Sequence, residues 1–497
     1  VPGLFVSNGG NAPGTSKSFQ IRGAYSLGVK NSDGTYGNTI KPLVLIDNVE
    51  GDIDMINPED IESINVLKDA ASAAIYGARA AGGVILVTTK RPKGASRFEL
   101  NYNNNFAFGK AVNLPKQAPL MDYLQAYLDC GYSDAYWSLG SPSVSKWMEY
   151  LTAYQKDPSS FNTVGDGIYV DESGVPYYLN EKDLYKNFME TSFQMTHNIS
   201  ASGGTDKLRY RISGGYNSND GVLISDRDKF ERMNVNSFIS ADVTKWFTQE
   251  ITMSYAHSLQ TSPGGMGGVY NTRLVSYYPE GELPASVNTL ADEDLPLFTP
   301  RNQIYSNPVN NKNDNPRIFL KSILKPLKGL EAVFEYTFDK NIYDYHWYTG
   351  QYDYTTIQGG SSKSFVDDYL RKYKQHTNYN SINVYATYNK DFGNHHFKVM
   401  AGFNQESSYQ ETLDTYSYNQ AVLDVPAMSS GTGTIKATDS YSEYAIRGGF
   451  FRVNYNYLDK YLLEVNGRYD GSSKFPKSSR FGFFPSVSAG WQIAPER

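Results

Sequence analysis

Seven ring-bearing side chains crowd one short stretch of this chain: Tyr343, Tyr345, His346, Trp347, Tyr348, Tyr352 and Tyr354. Aromatic faces at that density stack on sugar rings or peptide side chains, and their polar tips orient what is stacked. A packing cluster, an aromatic belt or a contact with another protein is the simpler reading. Nearer the start, 22–25 and 31–38 read as exposed polar loops bearing Arg22, Tyr25 and Tyr36. With Trp347, Tyr348 and Tyr352 these form the candidate ligand-contacting set, although Arg22 suits a structural ion pair better. Asp47, Glu50, Asp52 and Asp54 make an acidic cluster. It fits a calcium site, and more simply turn acids ahead of a helix N-terminus. The six histidines are dispersed, and His395-His396 lacks a second ligand pair, so no metal is expected. Gly82-Gly83 precedes a strand rather than a helix, which argues against nucleotide binding. No nucleophile, base and acid converge in sequence. Neither a cofactor nor an enzymatic activity is expected.

These groups need elements to hold them, and the composition narrows which. The 497 residues include 41 Tyr, 25 Phe and 5 Trp, yet mean hydropathy is −0.50. No run approaches the ~18 apolar residues of a membrane helix. A membrane β-barrel needs only alternate residues to be apolar, which dilutes the average. A secreted, polar β-sandwich has a similar composition. The net charge of −6 argues against nucleic-acid binding. Cys130 alone excludes a disulfide framework. The opening Val1-Pro2-Gly3-Leu4 has no leader character, and Trp491-Gln492-Ile493 finishes a strand just before the end, so both ends read as cut.

Period-two alternation recurs from residue 97. Phe334, Tyr336 and Phe338 oppose Glu335, Thr337 and Asp339, and the same pattern marks twelve strands near 97–107, 193–203, 207–217, 231–242, 247–258, 317–325, 329–339, 379–391, 396–405, 443–458, 460–470 and 483–493. The connections alternate between tight turns and long loops, as in outer-membrane barrels. A soluble sandwich has no reason to gather every long loop at one end. Strand 97–107 then runs outward. The longest loop, 108–192, has helical patches at 121–130 and 146–154 and suits a partner protein better than a solute.

Before residue 96 the pattern is that of a small α+β domain. A strand at 42–47 is followed by a short helix opened by Asn57-Pro58, a strand at 61–67, an Ala-rich helix at 70–76 and a last strand over 82–89. The run PLVLIDNVEGDIDMINPEDIESINVLKDAASAAIYGARAAGGVILVTTKRPKG resembles the plug of TonB-dependent transporters, particularly the SusC/RagA-like branch. Phe19-Gln20-Ile21-Arg22-Gly23 matches that family's F-x-I-R-G stretch, and GRYDGSSKF…RFGFFPSVSAGWQI resembles one of its mid-barrel segments.

The resemblance implies an all-β, antiparallel transmembrane barrel of 22 strands, about 12 of them present, with an α+β plug inside. It divides the chain into a plug at 1–95, lacking its start, and the first half of the barrel at 96–497, with external loops 108–192, 259–316, 340–378 and 406–442. It further implies TonB-dependent import of a large nutrient through the outer membrane of a Gram-negative, Bacteroidetes-like bacterium. Expected partners are a SusD-like lipoprotein lid, the TonB-ExbB-ExbD complex (through a segment absent from these residues), the outer-membrane lipid and an oligosaccharide or peptide. The aromatic stretch favours a glycan over oligopeptides or siderophores and other metal chelates. A secreted β-rich binding or adhesion protein is the alternative from another class.

Overall fold

The computed structural model describes residues 4–8, 12–21, 29–30, 36–37, 41–68, 82–92, 94–112, 114, 116–135, 142–183, 189–225, 227–263, 282–283, 294–296, 308–349, 353–355, 362–363, 369–422 and 425–493. Twelve antiparallel strands form one continuous meander. They are β1 (Ser96–Gly109), β2 (Ser192–Gly204), β3 (Leu208–Asp220), β4 (Lys229–Thr244), β5 (Phe247–Pro263) and β6 (Pro308–Leu327), then β7 (Leu330–Thr349), β8 (Tyr369–Phe392), β9 (His395–Tyr418), β10 (Ile435–Tyr457), β11 (Tyr461–Ser472) and β12 (Phe481–Trp491). Each pairs with its neighbours in the chain, and β1 and β12 are the two ends of the sheet order.

All twelve strands stand where the alternation predicts, and short turns alternate with long connections. The tight turn of β6–β7 needs Gly329 at φ 87°, and that of β10–β11 holds Leu458 and Asp459 at φ 57° and 55°. The strands are longer than expected at the long-loop end, however. Expected 329–339 is Leu330–Thr349, 379–391 is Tyr369–Phe392, 396–405 is His395–Tyr418 and 443–458 is Ile435–Tyr457. Segments 340–378 and 406–442 therefore begin and end as paired strand, which corrects their reading as loop. Where both faces of a strand meet water, hydropathy no longer alternates and the periodic signal disappears, although the ladder continues.

The two faces differ as a membrane barrel requires. One face turns to the plug. The other presents Phe98, Leu100 and Tyr102, exposed at 64%, 61% and 60%, and continues through Ile212, Ile239, Met253, Phe334 and Val384. At the turn end of that outer face, Tyr457 stacks with Tyr461 at 6.4 Å, and Tyr461 with Trp491 at 6.3 Å. Such an aromatic girdle borders the apolar band of an outer-membrane barrel.

The plug carries a four-stranded sheet in the order Val49–Glu50, Leu43–Ile46, Val84–Thr89, Ile61–Leu67. Leu43–Ile46 runs parallel to Val84–Val87, and both are continuous apolar runs because both faces are covered. Asp47 and Asn48, at φ 50° and 71°, turn the first hairpin. Gly83 sits at φ 88°, where a Cβ would meet Ile21 at 2.7 Å, which accounts for the glycine immediately ahead of this strand. The short helix expected at Asn57 is a single 3₁₀ turn, Pro58–Asp60, because strand Ile61–Leu67 follows at once. Asn57 caps it, its Oδ1 accepting from Glu59 N at 3.1 Å. The Ala-rich segment at 70–76 lies outside the described residues.

The β1–β2 connection has a core of its own. Helices α1 (Leu120–Asp129) and α2 (Val144–Lys156) stand where helical patches were read. They pack Leu124, Trp147 and Leu151 against Ile168, Tyr177 and Tyr178 of a three-stranded sheet. Trp147 Nε1 donates to Tyr178 O at 2.5 Å, which satisfies its buried polar tip.

Candidate functional site: the plug seat and the lumen wall above it

The plug is held mainly by polar groups aimed inward from the strands. In β3, successive lumen positions supply Arg211 Nη2, 3.0 Å from Asp60 Oδ1, and Ser213 Oγ, 2.8 Å from Asp60 Oδ2. Arg91, just past the last plug strand, bridges Glu250 of β5 at 3.0 Å and Asp47 of the plug at 3.4 Å, and its guanidinium lies 4.9 Å over the Phe238 ring. Other barrel side chains read the plug backbone. Arg232 donates to Asp54 O at 2.6 Å, Asn234 to Met55 O at 2.6 Å, and Gln260 to Pro13 O at 2.6 Å. Arg317 donates to Ile46 O at 3.4 Å while lying 3.6 Å from Asp339 of β7. A seat made of hydrogen bonds and ion pairs can be re-solvated piece by piece, which a dry apolar seal cannot.

The acidic cluster serves these contacts one by one. Asp47 accepts from Thr89 N and Oγ1 at 3.0 and 2.6 Å, Asp54 from Lys17 N at 3.1 Å, and Asp52 caps its own turn by accepting from Asp54 N at 2.9 Å. Glu50 lines a cavity of about 840 Å³ between the plug and β7–β12, across from Glu335, Glu406, Arg452 and Arg468. Among the described residues no three His, Cys, Asp or Glu side chains converge as metal ligands.

Beyond the plug, towards the long loops, the lumen face turns aromatic. Side chains alternate across a strand, and the odd positions of β7 face the lumen, as Val333, Glu335 and Thr337 show by their burial. The unbroken register between β7 and β8 extends that parity to Tyr343, Tyr345 and Trp347. Trp347 meets Tyr369 of β8 edge-on at 5.4 Å. Tyr343 meets Tyr373 at 6.0 Å and donates to Asn311 of β6 at 3.1 Å. Arg371 is hydrogen-bonded through Nε and Nη2 to both oxygens of Asp414, at 3.0 and 2.9 Å. Its guanidinium lies over Tyr345 at 5.3 Å and over Tyr416 at 5.2 Å.

Of the residues singled out from sequence, Trp347 belongs to this wall. Tyr348 lies on the opposite face of the same strand, so the two adjacent residues cannot present to one ligand in the lumen. Tyr36 falls in a two-residue strand, Tyr36–Gly37, paired with Val29–Lys30. Arg22, Tyr25 and Tyr352 lie outside the described residues. Sequence reading missed Tyr369, Arg371, Tyr373, Asp414, Tyr416 and Tyr418. The available signal was their spacing by two, Tyr369/Arg371/Tyr373 and Asp414/Tyr416/Tyr418.

A plug domain seated within an outward-apolar meander agrees with two family models. Residues 1–84 match the TonB-dependent receptor plug domain, and 270–497 match the TonB-dependent receptor-like β-barrel. The chain belongs to the TonB-dependent receptor family. Between the two matched spans, β1–β5 continue the same sheet. This receptor chain is 28% identical over 510 residues to TonB-dependent receptor P3 of Formosa agariphila, covering 99% of the chain and 44% of that protein. It is 26% identical over 538 residues to TonB-dependent receptor SusC of Bacteroides thetaiotaomicron, covering 100% of the chain and 47% of that protein. The chain thus spans about half the length of the curated relatives it matches. Its fold matches the solved structure of the RagAB peptide transporter with a TM-score of 0.77 at 19% identity, over 99% of the chain and 55% of that structure.

Proposed function

We propose that this receptor chain forms the plug and lumen wall of an outer-membrane importer for a large nutrient, an oligosaccharide in the first instance. The TonB-ExbB-ExbD complex would supply the pull from the inner side, and a SusD-like surface lipoprotein would close the outer mouth. The observation that carries this reading is the arrangement along one lumen: a plug held by breakable polar contacts, with an aromatic wall standing directly above it. The plug blocks passage until force re-solvates its seat, and the wall holds cargo above the block. The folded unit between β1 and β2 leaves the wall at the same end, where a lid would dock. The boundary between plug and barrel is placed at residues 95–96, just ahead of β1.

Deleting the gene and growing the strain on separate glycans and on peptides as sole carbon sources tests the reading. A growth defect on at least one glycan, with unimpaired growth on the corresponding monosaccharide, is the expected result. A defect confined to peptides replaces the glycan with an oligopeptide, and one that appears only under iron limitation replaces it with a siderophore.

A further inference from the structure

We propose that the lumen wall of β7–β9 is a binding site selective for uncharged oligosaccharides, with Tyr345, Arg371 and Tyr416 as its central subsite. The inference rests on the import reading above and narrows its substrate class by charge.

The register brings these residues together. Trp347 stands opposite Arg371, and Arg371 opposite Tyr416, making one row across three strands. Tyr345, Tyr373 and Asp414 make the next row towards the plug, and Tyr369 and Tyr418 face each other on the other side. With strands about 4.8 Å apart, the rows form one broad ring-lined patch. A pyranose offers an apolar face of C–H bonds, which stacks on such rings, and a rim of hydroxyls.

The hydroxyl rim needs neutral donors and acceptors, and the wall supplies them. Asn311 in β6, Asn341 in β7, Gln375 in β8 and Thr412 in β9 are neutral lumen positions at or just below the aromatic rows, each bonded to a neighbouring side chain with further hydrogen-bonding capacity left. The charges there are already spent on one another. Both oxygens of Asp414 are engaged by Arg371, whose flat guanidinium also lies over Tyr345 and Tyr416 and ties the two rings into one patch. Lys436 of β10, 5.2 Å over the Tyr418 ring, is the remaining charge at this level among the described lumen positions of β6–β10. An anionic sugar chain carries a carboxylate or sulfate at each repeat and would have to desolvate them with one cation to meet them. A peptide brings charged termini at the same disadvantage. A neutral chain leaves the Arg371–Asp414 pair intact.

The test is binding to the full-length receptor in detergent, followed by calorimetry and by tryptophan fluorescence. The probes are maltohexaose, cellohexaose, mannohexaose and an inulin-type fructan oligomer, set against hexagalacturonate and an unblocked decapeptide. At least one neutral probe should bind, with a Kd that rising salt leaves within about twofold. Tyr345→Ala and Tyr416→Ala should each raise that Kd about tenfold, roughly 1.4 kcal/mol. Tyr345→Phe and Tyr416→Phe keep the ring face and should restore binding. Lys372→Ala, beside Arg371 but on the outer face, should change nothing. Heat-dependent gel mobility confirms that each variant is folded. Tight, salt-sensitive binding of hexagalacturonate without any neutral probe overturns the charge selection and leaves glycan import standing. Binding of the decapeptide alone overturns both. Neutral binding that ignores both alanine variants, or no binding by any probe, overturns the site, and the growth test then decides the import reading separately.

Discussion

Replacing Arg211 with alanine should loosen the plug in its barrel and open the lumen to solutes too large for ordinary porins. Arg211 and Asp60 are buried, with side chains 13% and 4% exposed, so removing the cation leaves a carboxylate facing a low-dielectric seat. Breaking a buried pair in this way costs about 3–5 kcal/mol. Ser213 still donates one hydrogen bond to Asp60, which recovers part of that cost. Cells carrying the variant should become sensitive to vancomycin, and single channels in planar bilayers should show openings that the parent lacks. A second variant separates the unpaired charge from a simple loss of packing. Arg211→Met combined with Asp60→Leu removes both charges while keeping bulk, and should close the lumen again. Equal leakage from the single and double variants would defeat the assignment of this pair as a lock on the plug.

The second large effect lies on the opposite face. Ile239 points away from the plug, five positions from the turn end of β4, opposite Tyr210 of β3. Arginine there would sit near the middle of the bilayer and cost roughly 2–4 kcal/mol. Refolding into lipid vesicles should then yield less of the compact, heat-modifiable form, and the urea midpoint of what folds should fall. Asn101→Arg is the matched control: residue 101 lies five positions from the turn end of β1 and faces the lumen. Its barrel should fold as the parent does. Equal behaviour of the two variants would mean that Ile239 does not face lipid.

How much of this was legible beforehand follows from what each signal depends on. The turns at Val243–Trp246 and Pro326–Lys328 were visible because they interrupt an alternation that lipid on one side and water on the other enforce. The upper halves of β8 and β9 have water on both sides, so residues such as Gln375, Thr377 and Gln410 carry no face preference to detect. The plug strand Val84–Thr89 was legible as a continuous apolar run, whereas one 3₁₀ turn at Pro58–Asp60 carries the same capping residues as a true helix. The lumen wall was legible only along one strand. Trp347 announces itself, but Arg371 and Asp414 are 43 residues apart in sequence, and only the register places them in contact. Sequence density also joined Trp347 to Tyr348, which the pleat sends to opposite sides.

The length of β8 and β9 has a consequence for what kind of molecule is retained. Each runs 24 residues. At ~3.3 Å per residue and a 45° tilt this is about 55 Å of height, against a hydrocarbon layer of about 30 Å. Roughly 25 Å of wall therefore stands clear of the membrane as a chimney. On the proposed import function, a polymer caught by one end at its rim would be tethered, and each further unit sliding down would meet the wall at high effective concentration. On that reading, a single sugar would gain nothing from the tether and would escape, while a longer chain would stay threaded. Chain length would thereby become a selectable property of that importer, set by the height of the chimney and independent of any one contact within it.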